Sequence, residues 1–93
     1  MTDKLAATLA ERGARYGAFD KHAVIAQGIK RVMWVCANWS NLADDQKQAL
    51  EVVADKIARI LNGDPNYTDN WHDIAGYVRL VEERLLREAA RGA

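Results

Sequence analysis

The sequence predicts an all-α protein: a short N-terminal helix, then a three-helix bundle whose last two helices form an antiparallel hairpin. Three observations lead there. Apolar residues recur at three- and four-residue spacing over three long segments. One proline and six glycines among 93 residues leave those segments almost uninterrupted. No segment alternates apolar with polar residues over a useful length, so no strand is expected. At this length the chain is one domain, residues 1–93.

Residues 3–12 are rich in helix formers, with Leu5 and Leu9 one turn apart and Thr2 placed to cap them. Such a short helix needs something to dock on. Gly13 and Gly17 then bracket Arg15 and Tyr16 in what reads as a flexible connector. A second helix is expected at about 20–36. Asp20 would cap it, Phe19 and Val24 would form a hydrophobic staple, and Ile25, Ile29, Val32, Met33 and Cys36 supply the stripe. Asn38, Trp39, Ser40 and Asn41 break it. The third helix is expected from about 44 to 62, with Leu50, Val53, Ala54, Ile57, Ile60 and Leu61 on its apolar face. Asp44 and Asp45 suit the positive end of its dipole, and Asn62, Gly63 and Pro65 stop it. The fourth begins at Thr68 or Asp69 and carries Trp71, Ile74, Ala75, Val78, Val81 and Leu85, with Glu83 placed to pair with Arg87.

Composition excludes several functions. Thirteen Lys and Arg balance thirteen Asp and Glu, so the net charge is zero. The broad cationic field of sequence-independent nucleic-acid binding is therefore missing. No apolar run reaches the length of a membrane span, and the first residues lack the pattern of a signal peptide. Cys36, the single cysteine, reads as a small reduced core residue, which points to the cytoplasm. A core this modest, with no internal disulfide available, favours a homo-oligomer. Trp34, Leu80 and Leu86 lie off the main stripes and fit a subunit interface.

Three constellations could carry chemistry. Glu51 and Asp55 lie four apart on the third helix, and Asp69 and Asp73 four apart on the fourth. If the hairpin turned them together, four carboxylates would hold Mg²⁺, which could polarise a phosphate. Otherwise Glu51 and Asp55 form a solvated face pairing with Arg59, and Asp69 is the cap. Asp73 sits beside the apolar stripe, where a carboxylate needs a partner, and Lys56 or Arg59 could supply it. Arg59 could equally meet a bound phosphate. Arg15, Tyr16 and Gly17 precede a helix N-terminus, which could take an anion and a stacked base together. His22 falls on the apolar stripe, where a hydrogen-bonded core residue is the commoner role. One Cys and two His fifty residues apart offer no zinc spacing, and no nucleophile pattern is present.

The stretches RYGAFDKHAVIAQGIK (15–30), DQKQALEVVADKIARILNGDP (45–65) and DNWHDIAGYVRLV (69–81) resemble an uncharacterised family of small helical proteins common in bacteriophages and prophages. The hairpin is also similar, more weakly, to the all-α nucleotide pyrophosphohydrolases of the MazG and dimeric dUTPase type. Asp73, Ile74 and Ala75 resemble the final metal-binding Asp of that family and the apolar residues after it. The family's glutamate-rich first element has no counterpart here, which argues for nucleotide binding without turnover.

The leading expectation is thus a phage-type accessory protein, acting in the host cytoplasm, that binds and sequesters a nucleotide or nucleotide-derived signal, an anti-defence role by analogy. Its binding residues would be Arg15, Tyr16, Lys56, Arg59, Asp73 and Tyr77, with no cofactor. One alternative is a Mg²⁺-dependent pyrophosphohydrolase using Glu51, Asp55, Asp69 and Asp73. The other is a protein–protein adaptor presenting Trp34, Trp39 and the last helix.

Overall fold

Each helix starts and stops for a local reason. The computed structural model describes residues 3–92 as α1 (Lys4–Tyr16), α2 (Phe19–Trp34), α3 (Asp44–Asn62) and α4 (Thr68–Gly92), with a 3₁₀ turn at Ala37–Asn41 and no strand among the described residues. The all-α class and the hairpin of the last two helices are as the sequence predicts.

Asp3 caps α1, its carboxylate accepting from Leu5 N–H at 3.0 Å and Ala6 N–H at 3.2 Å. The cap expected at Thr2 lies outside the described residues. Gly13 belongs to α1 and is not part of a connector, because the helix runs on to Tyr16 and closes with Gly17 N–H bonded to Gly13 O. α2 starts at Phe19, with Ala18 in the cap position and Asp20 inside the first turn. The Phe19–Val24 staple does not form, since both side chains are exposed. α2 ends at Trp34, so Cys36 falls on the exit from the helix. It is exposed and not a core residue, and its thiol donates to Val32 O at 3.2 Å.

Ala43 N–H donates to the Gln46 side chain at 2.8 Å at the start of α3. Trp71 Nε1–H donates to Pro65 O at 2.9 Å and ties the loop to the first turn of α4. Glu83 pairs with Arg79 at 3.0 Å, not with Arg87, and Arg84 spans Glu88 and Asp45. The Arg84–Asp45 contact is a two-point fork that clamps α4 to the first turn of α3. Beyond that clamp α4 projects past α3.

α3 is the middle helix. α2 and α4 both pack on it and share no extensive seam with each other, while α1 touches α2 and α3. Among the described residues the buried apolar ones are all alanines: Ala26 on α2, and Ala49, Ala54 and Ala58 on α3. Small side chains let the helix backbones approach closely. Of the larger residues expected in the core, Val32, Leu50, Leu61, Trp71, Val78 and Leu85 are exposed, while Ile25, Ile29, Met33, Val53, Ile57, Ile60, Ile74 and Val81 are half-buried. The shape is correspondingly open. The radius of gyration is 16.5 Å, against about 12 Å for a compact chain of this length. No described helix is long and apolar enough to cross a membrane.

Candidate functional site

Two glycines place the site. Gly17 has φ +78°, a conformation that side chains rarely adopt. A Cβ there would run into the Asn62 carbonyl, and one on Gly63 into Arg15 and Tyr16. The α1–α2 junction thus crosses the α3–α4 junction backbone against backbone. Asp64 N–H donates to Arg15 O at 2.7 Å across that crossing. Asn62 Nδ2 donates to Tyr16 O at 3.0 Å and Ala18 O at 2.9 Å. These bonds fix Tyr16 and the start of α2 against the end of α3.

Tyr16 is the hub of a cluster of arginines and aromatic rings. The Arg59 guanidinium lies 4.5 Å from its ring centroid and that of Arg12 5.5 Å. Tyr67 meets it edge-on at 6.1 Å. Arg12 and Arg59 have no carboxylate partner among the described residues. A cleft of about 250 Å³ opens there between α1, the first turn of α2 and α3, lined by Leu9, Arg12, Gly13, Tyr16, Gly17, Phe19, His22 and Arg59. A second hollow of about 280 Å³ adjoins it and shares Phe19, His22 and Arg59. No side chain caps the N-terminus of α2 beside it, so the dipole and free N–H groups of that end favour an anion.

His22 stacks on Phe19 with ring centroids 6.2 Å apart. Its Nδ1 is buried with no hydrogen-bond partner among the described residues. Burial pushes its pKa below the usual 6.5, and the Arg59 charge pushes the same way. A folded-state pKa below the unfolded one means that this contribution to stability is present above about pH 6.5 and is lost as pH falls through the folded value. Thermal melts from pH 7.5 to pH 5 should show that decline, and His22→Gln should flatten it. The carboxylates of Asp45 and Asp73, lowered from 3.8 by hydrogen bonds from Arg84 and Lys56, act only at more acidic pH.

The residues singled out in the sequence separate into groups. Tyr16 and Arg59 meet in the cleft. Arg15 turns the other way: it pairs with Glu11 at 2.8 Å, donates to Tyr67 Oη at 3.2 Å and lies over the Tyr67 ring. Lys56 pairs with Asp73 at 2.9 Å, its own side chain mostly buried and that of Asp73 41 % exposed. Asp73 and Tyr77 line a separate open groove along α4. Because solvent screens that carboxylate, Asp73→Ala should shift the melting temperature only slightly.

The four carboxylates of the metal alternative do not converge. Asp55 pairs with Lys30 at 3.0 Å, Asp69 accepts from Tyr67 Oη–H at 2.8 Å, Asp73 holds Lys56, and Glu51 is half-buried on α3. No three His, Cys, Asp or Glu side chains gather as metal ligands among the described residues. Sequence reasoning missed Arg12, Phe19 and His22 as cleft residues. Arg12 was readable, since it lies one turn before Tyr16 once the helix is carried through Gly13. Comparison with protein families, with curated proteins and with solved structures returns no match.

Proposed function

We propose that this protein binds and sequesters a nucleotide or nucleotide-derived signal without turning it over, as a phage-type accessory protein of the host cytoplasm working as a homo-oligomer. One observation carries the ligand reading: two guanidinium groups without carboxylate partners share one tyrosine ring at the mouth of a cleft that ends on a helix N-terminus. Guanidinium forks and free N–H groups suit phosphate oxygens, while Tyr16 and the Phe19–His22 stack offer aromatic faces to a base. The cleft asks for no metal. None of the four carboxylates of the metal alternative lines this cleft, which supports binding over metal-dependent turnover.

Calorimetric titration with mono-, di- and cyclic nucleotides, in EDTA and then in Mg²⁺, tests this. Binding in EDTA without product is the expected result. Arg59→Ala should weaken it about 10- to 100-fold, the loss of one charged hydrogen-bonding group worth roughly 1.5–3 kcal/mol. Binding that needs Mg²⁺ and yields product would establish the pyrophosphohydrolase alternative instead. No binding under either condition would leave the adaptor.

A further inference from the structure

The helical repeat sorts α3 into sides. Asp55 and Arg59, with both hollows, lie on one side of the α2–α3–α4 layer. Leu50 and Leu61 turn to the opposite side. The same repeat carries Val32 of α2, and Val78 and Leu85 of α4, onto that side. All five are exposed. Part of the stripes that read as core in the sequence therefore forms one open apolar face across three adjacent helices.

The geometry points to a second copy of this chain as the occupant of that face, a site that rests on the self-association reading above and locates it. The accessible surface is 6790 Å². A compact chain of this mass exposes about 5400 Å². The excess of roughly 1400 Å² is spread over this face, the exposed α1 and the projecting end of α4. It leaves room for the ~800 Å² that each partner buries in a stable pair. Zero net charge means that two copies meet without long-range repulsion. The face is also self-complementary in plan. α3 runs down its middle, so a two-fold axis lying in the face sets α3 on the α3 of the second copy. The cleft around Tyr16 opens on the other side of the layer and stays accessible when the pair forms.

Light scattering of the purified chain and its variants decides the point. The expected mass is at least twice 10.4 kDa, falling toward the single-chain value in Leu50→Asp and in Val78→Asp with helical circular dichroism retained. Leu80→Asp is the control, because Leu80 is equally apolar and exposed but faces the groove of Asp73 and Tyr77. It should keep the parent mass. If an Asp variant loses its helical signal, Leu61→Asp replaces it, since that side chain is 67 % exposed and plays little part in the fold of one chain. A parent chain at 10.4 kDa at every concentration would overturn self-association itself. An oligomer that none of the Asp variants on this face dissociates would overturn this face alone.

Discussion

Gly17→Ala should lower the melting temperature by more than about 10 °C and abolish the nucleotide binding proposed for the cleft. Two costs add at that position. A side chain in the backbone region that Gly17 occupies costs roughly 1–3 kcal/mol, and forcing an atom into occupied space costs typically 1–3 kcal/mol more. In a domain of this size each kcal/mol moves the melting midpoint by about 4–8 °C. The obstacle is the Asn62 carbonyl, part of the backbone at the end of α3, so no flexible side chain can move aside. The two junctions must part. Asn62 then loses its grip on Tyr16 O and Ala18 O, and the Tyr16 ring no longer sits under Arg59. Scanning calorimetry and the nucleotide titration measure the two effects separately. Gly13→Ala is the control for the melt, because a Cβ there meets nothing. It should stabilise α1 by a few tenths to about 1 kcal/mol.

The second large effect is expected from Ala58→Leu. Ala58 is 0 % exposed on α3, one turn from Ala54. Leucine is nearly as good a helix former as alanine, so propensity contributes little. The added branch has no room where backbones are spaced by alanine, and overpacking costs about 1–3 kcal/mol. A chemical-denaturation curve should show a lower midpoint. Ala58→Gly separates size from propensity: it removes a single methyl group and should cost about 1 kcal/mol, mostly backbone entropy. A Leu variant as stable as the parent would mean that the helices slide apart freely.

The fold class and the extent of α3 were legible because they rest on local signals: apolar periodicity, paired aspartates at the start, and Asn62-Gly63-x-Pro65 at the end. The start of α2 was legible to within a residue, but its cap was not: Ala18 takes that position in place of Asp20, beside the long-range bonds from Asn62 to Tyr16 O and Ala18 O. Periodicity marks which residues are apolar but not which are covered. The alanines took the seams, and Val32, Leu50, Leu61, Val78 and Leu85 were left on a face that the pattern alone cannot tell from a core. The site was half legible. Tyr16 and Arg59 stand out by residue type, but that Arg15 would be occupied by Glu11 and Tyr67, and Arg12 left free of a carboxylate, depends on how α1 is rotated against the loop.

The crossing at Gly17 and Gly63 also sets how α1 moves. No residue of α1 is buried, and its tie to the rest of the chain runs through its C-terminal turns. Amide hydrogens along its first two turns should therefore exchange with solvent deuterium nearly as fast as in a free peptide. Those of Gly17 and Asp64, locked in the crossing, should exchange on the timescale of global unfolding. α1 is thus an arm hinged at one end, with Arg12 and Leu9 carried on it as one wall of the cleft. A molecule gripped between arm and body would reveal itself, before any affinity is measured, as slowed exchange spreading from the hinge toward Leu5.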